Sequence, residues 1–327
     1  MARAVRIAGT GSYLPEKILT NYDLEKMVDT THEWIFTRSG ISERHIAAEG
    51  EATSHMAANA ARNALDAAGL KADAVDMIIV GTITPDMVFP NTACFVQDQI
   101  GATQAFCFDV EAACSGFLYA LDIAKNYIAN GAAENVLVIG AEKLSSITDW
   151  EDRGTCVLFG DGAGAVVLSA TESGRGIMGN VMGSDGRLNE LLNVPGGGSR
   201  HPTSHQTVDD RLHYMKMTGR EVFKHAVRCM SDAATRALKQ CGLTVADVGC
   251  IIPHQANARI VNAIASRLKA EEGQVYMNLE HVGNMSAASV PVALDEAVRS
   301  GRIKSGDIVL FVVFGGGFTW GASVLEW

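Results

Sequence analysis

Two hydrophobic periods alternate along this chain. Residues 53–68 carry alanine, methionine and leucine at helical spacing and close on Gly69, which predicts a helix. Residues 75–81 form a short, continuous apolar run, which predicts a buried strand. The alternation continues with a helix over 91–100, a strand over 104–110, a helix over 115–130 ended near Gly131, and a strand over 136–140. It resumes later: helix 221–240, strand 248–253, helix 256–269, helix 287–300 and strand 308–314. Helices between strands predict parallel pairing, with helices layered on both faces of a sheet.

The second run copies the first. Residues 60–79 laid over 233–252, a shift of 173 without a gap, give nine identical pairs in twenty. Chance would give roughly two. The same shift lays 136–140 (VLVIG) on 309–313 (VLFVV) and carries Cys114 onto Ala287. The chain therefore reads as a duplicated α/β unit, with halves 1–172 and 173–327 and a thiol in the first half only. Residues 160–211 hold strand-like runs at 164–169 and 177–181, then a Pro195-Gly-Gly-Gly-Ser surface loop. The segment Gly160-Asp-Gly-Ala-Gly resembles part of a dinucleotide fingerprint. No helix follows it, so it is assigned to a turn. No low-complexity linker parts the halves, which predicts that they pack as one body.

Composition adds limits. With 47% hydrophobic and 20% charged residues, 327 residues can bury a sizeable core. The net charge of −10 argues against general nucleic-acid or anionic-membrane binding. No apolar run is long enough for a signal peptide or a membrane span. Seven cysteines, an odd number without a C-x-x-C pair, read as reduced cytosolic thiols and not as disulfides or a zinc site.

Cys114 stands apart from the other six. It lies between a strand ending near Val110 and a helix beginning near Ser115. A helix start favours negative charge, so the thiol is expected to have a lowered pKa and to act as a nucleophile. Its plain alternative is a buried structural cysteine. His254 ends the strand 248–253, on the side of α/β sheets where ligand sites gather. Asn284 precedes the helix that copies the Cys114 helix, and its plain alternative is a turn or N-cap residue. A pseudo-twofold relation would bring the three to one face, as acyl transfer requires: a thiolate plus two donors for a carbonyl oxygen. The glycines of Phe314-Gly-Gly-Gly-Phe-Thr-Trp-Gly would let a backbone amide complete an oxyanion hole with the Cys114 N–H.

These motifs, in this order, resemble the β-ketoacyl-acyl-carrier-protein synthase III family: Ala-Ala-Cys-Ser-Gly-Phe at Cys114, Pro-His-Gln-Ala-Asn-x-Arg-Ile at His254, Gly-Asn-Met-Ser-Ala-Ala-Ser at Asn284, and the glycine-rich end. The resemblance implies a thiolase-like α/β fold of five layers, α-β-α-β-α. It also implies a cytoplasmic homodimer, and a Claisen condensation that starts fatty-acid synthesis. No cofactor is implied, because the CoA thioesters are substrates. It gives Cys114, His254 and Asn284 the catalytic roles and the amides of Cys114 and Gly316 the oxyanion hole. Trp34 and Arg153 would sandwich the CoA adenine, Arg38 would face its phosphates, and Asn257 would bond the pantetheine arm. Phe89 would floor the partner's acyl pocket, near Leu144 and Phe159. Arg259, Arg267 and Lys269 would attract the acidic acyl-carrier protein. Within the class, the rival is a secondary-metabolite synthase with another primer or acceptor. Outside it stand a cysteine hydrolase, which leaves the duplication unexplained, and a non-catalytic acyl-binding protein.

Overall fold

The computed structural model describes residues 3–172, 174 and 176–327. Two sheets organise them. The first has the order Ala4–Tyr13, Asp161–Thr171, Asn135–Lys143, Met77–Gly81, Phe106–Val110. The second has the order Cys250–Pro253, Ile308–Gly315, Thr319–Glu326, Ile177–Ser184. Helices Thr53–Ala68 and Thr92–Ile100 cover the outer face of the first sheet through an alanine-rich core. Helices Gly219–Gln240 and Ala258–Leu268 cover the outer face of the second. Between the sheets run Gly116–Ala129 and Ser289–Arg299. Both bury apolar faces in one central cluster that includes Phe117, Leu121, Leu294 and Phe311. The result is the five-layer, thiolase-like sandwich of alternating helices and sheets.

The helix limits follow local chemistry. Asn91 caps Thr92–Ile100 by accepting from the Cys94 amide at 2.9 Å. Gly69 ends Thr53–Ala68 in the left-handed region, where glycine carries no Cβ penalty. Both central helices start late: 3-10 turns at Ala113–Ser115 and Ser286–Ala288 precede them. The shift of 173 superposes these turns, and it superposes the first helical residues, Gly116 and Ser289.

Two expectations fail here. The sheets are mixed, not all parallel. Met77–Gly81 pairs in parallel with both of its neighbours and Cys250–Pro253 with Ile308–Gly315, but the remaining ladders are antiparallel. The extra strands, Ala4–Tyr13 and Thr319–Glu326, are interrupted by glycine and polar residues that hide their period. Nor is Gly160–Gly164 a turn: Asp161–Thr171 is a buried strand. A Cβ on Gly164 would stand 2.6 Å from the Val292 amide nitrogen, so the glycine marks close backbone approach of a central helix to the sheet. Among the described residues, no helix is long and apolar enough to cross a membrane.

Candidate active site

A cavity of about 1240 Å³ opens between the two halves, and Cys114, His254 and Asn284 all line it. The first half supplies the thiol. Its turn is braced by Thr319, whose hydroxyl donates to the Ala112 carbonyl at 2.8 Å. The floor beneath it is Gly315, where a Cβ would lie 2.6 Å from the Cys114 nitrogen.

The half-buried Cys114 does not have the lowered pKa that a helix start predicts. Burial pushes the thiol up to about 12, and the charge of Glu142 adds to this, while Ser286 opposes it. The helix proper begins only at Gly116, so the three-residue turn sets few amides against a large desolvation cost.

The second half supplies the donors. His254 is 3% exposed, and its backbone N–H donates to the Val312 carbonyl at 2.8 Å. Burial drives its pKa down to about 3, so the ring is neutral near pH 7 and carries one N–H. Asn284 is 7% exposed, and its Oδ1 accepts from the Ser286 backbone N–H at 2.9 Å. Since a backbone amide can only donate, that bond fixes the carboxamide's orientation and leaves its NH₂ for the cavity. The turn role and the donor role thus belong to opposite ends of one side chain.

Gly316, Leu144, Phe159, Arg38, Asn257 and Arg259 also line the cavity. Leu144 and Phe159 join Met215 in a buried apolar cluster. Asn257 is engaged within the protein: its Nδ2 donates to the Arg38 carbonyl at 2.9 Å and its Oδ1 accepts from the Arg259 amide at 2.8 Å. Five residues singled out in the sequence lie outside the lining. Arg267 and Lys269 are exposed at the end of helix Ala258–Leu268. Phe89 is 82% exposed, on a loop whose Met87 and Val88 do reach the cavity. Trp34 and Arg153 stand beside it, with Arg38 and Arg153 at 4.5 and 5.2 Å from the Trp34 ring centre. A base stacked between Trp34 and Arg153 needs roughly twice a ~3.5 Å contact distance, so Arg153 must swing out to admit one. Sequence reasoning missed Glu142, Ser286 and Gly315. The shift of 173 pairs Glu142 with Gly315 and would have drawn attention to both.

The chain is similar to known proteins over nearly its whole length. Residues 108–186 match the family model described as 3-oxoacyl-[acyl-carrier-protein (ACP)] synthase III, and residues 238–327 match its C-terminal counterpart. The β-ketoacyl-[acyl-carrier-protein] synthase III of Caldanaerobacter subterraneus subsp. tengcongensis is 57% identical over 99% of this chain and 98% of its own. The crystal structure of 3-oxoacyl-[acyl-carrier-protein] synthase III from Aquifex aeolicus is 50% identical, with a TM-score of 0.93 over 99% of this chain and 100% of that one. The priming β-ketosynthase of the R1128 polyketide pathway has the same TM-score, 0.93, at 36% identity over 99% of this chain and 96% of that one. The chain belongs to the 3-oxoacyl-[acyl-carrier-protein] synthase III family.

Proposed function

We propose that the chain condenses an acyl-CoA primer, acetyl-CoA first, with malonyl-acyl-carrier protein. The products are 3-oxoacyl-acyl-carrier protein, CoA and CO₂, and the step starts fatty-acid synthesis. The Cys114 sulfur attacks the primer's thioester carbonyl and expels CoA. The malonyl thioester then enters the same cavity and loses CO₂. Negative charge develops on its thioester oxygen, to which the His254 N–H and the Asn284 NH₂ would donate. The carbanion attacks the acyl-cysteine, with the amides of Cys114 and Gly316 facing the tetrahedral oxyanion, and the thiolate departs.

One observation carries this reading: a nucleophile from one half and two neutral donors from the other share a single cavity. A neutral imidazole suits decarboxylation, since its N–H can donate a hydrogen bond to the forming enolate yet is too weakly acidic to be transferred to it.

Exposed Arg259 at the cavity mouth, with Arg267 and Lys269 further along the same helix, supports docking of an acidic carrier protein. The apolar loop tip at Val88 and Phe89, 92% and 82% exposed, supports a homodimer in which each Phe89 closes the partner's acyl pocket. A cytoplasmic location accords with thiols left free.

The test supplies acetyl-CoA and malonyl-carrier protein and follows both products. Acetoacetyl-carrier protein with one CO₂ per CoA is expected. Hydrolysis without a carbon–carbon bond would overturn the proposal. A panel of other primers, read the same way, separates this reading from a polyketide-priming role.

A further inference from the structure

Condensation as written leaves the buried acid Glu142 unused. Glu142 lies near the end of the strand Asn135–Lys143 and is 0% exposed. Its Oε2 accepts from Thr84 Oγ1 at 2.6 Å and from Thr82 Oγ1 and the Ile83 amide at 3.1 Å each. Among the described residues its Oε1 has no hydrogen-bond partner, and neither has the equally buried Ser286 Oγ. Ser286 and Cys114 line the same cavity, and the Ser286–Ala288 turn packs against both the Cys114 turn and the strand that carries Glu142; the Ser286 hydroxyl lowers the pKa of both groups. These two orphaned polar atoms lie near the nucleophile, as does the orphaned Ser115 Oγ on the adjoining residue. Orphans of this kind cost free energy and call for a use.

The duplication accounts for their position. The shift of 173 carries Glu142 onto Gly315 and Ser286 onto Ala113. Gly315 lies directly under the Cys114 turn, and Glu142 holds the same relation to the Ser286 turn. The two turns touch each other. Where one half has a bare glycine, the other has a buried acid.

We propose that Glu142, acting through the Ser286 hydroxyl, is a positioning residue for the Cys114 proton: it holds the proton while the cysteine is acylated and returns it when condensation frees the thiolate. This rests on Cys114 being the acyl-accepting thiol. In the first half-reaction the Cys114 S–H proton passes to Ser286 Oγ, and the Ser286 O–H proton passes to Glu142 Oε1. Sulfur then bonds to the acyl carbon, the acyl–CoA sulfur bond breaks, and the CoA thiolate takes its proton from water. In the second, the carbanion displaces the Cys114 thiolate, and the held proton returns along the same two steps. The sum consumes one proton, which leaves on CoA.

The neighbouring charges point elsewhere. Lys143 Nζ donates to the Glu51 carbonyl, and the Asp161 carboxylate accepts from Ser145 and the Ala47 amide. His55 accepts from the Ala52 amide, and the Tyr119 hydroxyl donates to the Gly183 carbonyl. His254, also on the cavity, is neutral. Burial raises Glu142 to about 7, so near neutral pH it can both take and return a proton. Its protonation also removes the negative charge that raises Cys114.

Acylation of Cys114 by acetyl-CoA, followed by mass spectrometry in single turnovers across pH, tests this. The wild-type rate should rise through pH of about 7 and then level. Glu142→Gln should lose that rise and fall about 10²-fold. Ser286→Gly should do the same, and it is the safer variant, because φ is +46° there and glycine accepts that value. A variant that keeps the wild-type inflection, whether slowed or not, overturns the relay. Absence of acyl label on wild-type Cys114 overturns the proposed function itself.

Discussion

Ala113 and Ser286 share a backbone φ of 46° and lie 173 residues apart. Each begins a 3-10 turn ahead of a central helix. That φ costs a residue with a Cβ about 1–2 kcal/mol, so it persists only where the surroundings impose it. In one half the turn presents Cys114. In the other its first amide anchors the Asn284 carboxamide. Ala113→Gly should relieve the strain at some entropic cost, changing stability by less than about 1 kcal/mol. Ala113→Val should cost about 2 kcal/mol or more, because a β-branched residue tolerates this φ least. Urea denaturation of the two variants measures the difference; equal midpoints would show that the turn can relax.

Gly315 and Gly140 both let a turn lie against a strand. A Cβ at Gly315 would stand 2.6 Å from the Cys114 nitrogen, and one at Gly140 would stand 2.2 Å from the Ala287 carbonyl oxygen. Both alanine variants should be destabilised by about 1–3 kcal/mol through forced backbone shifts. Only Gly315→Ala moves the nucleophile directly, so its acylation rate should fall about 10²-fold, against less than tenfold for Gly140→Ala. Equal losses in both would show that the turn is not the sensitive element.

Much of this was legible in the sequence, for a physical reason. Both sheets are covered by helices, so their central strands are continuous apolar runs, and the duplication repeats those runs at a fixed shift. The positions of Cys114, His254 and Asn284 at strand ends and helix starts follow directly. The thiol's pKa was not legible. The helix-start argument treats Cys114 as partly solvated, whereas desolvation decides its value, and desolvation depends on packing between the halves. Glu142 was hidden for a related reason. Near the end of a buried strand it looks like an ordinary boundary residue, and only the three donors on its Oε2 show that the carboxyl turns inward.

Asn284→Asp should slow malonyl decarboxylation by about 10²–10³-fold, because a carboxylate replaces the NH₂ donor where charge develops. Acylation of Cys114 should fall far less, since it precedes that charge. Release of CO₂ from malonyl-carrier protein, compared with single-turnover acyl labelling, reads the two steps separately. Parallel losses in both would place Asn284 in support of the turn alone.

Arg259 is exposed at the cavity mouth, while Trp34, flanked by Arg38 and Arg153, lies to one side of the cavity. Arg259→Glu should therefore raise KM for malonyl-carrier protein about tenfold or more, most at low ionic strength, and should leave acylation by acetyl-CoA within about twofold. Equal effects on both substrates would mean that the residue meets the thioester arm common to the two and not the carrier.

Glu142 and His254 give opposite pH dependences to stability. The folded value of Glu142 is raised from 4.5 to about 7, so its contribution is intact below 4.5 and is lost as pH climbs towards 7. The full loss is roughly 3 kcal/mol. The folded value of His254 is lowered from 6.5 to about 3, so the unfolded chain gains a proton first, and stability falls as pH drops below 6.5. Glu142→Gln removes only the first dependence. At pH of about 4.5 the variant should match wild type, because the acid is protonated there. Near pH 8 the variant should be more stable by roughly 2–4 kcal/mol. Urea midpoints at the two pH values check this. A variant more stable yet slower to acylate would show that the carboxyl is kept at a cost to the fold. A variant less stable at both would show that the substituted carboxamide cannot satisfy the three donors, so that the carboxyl is structural.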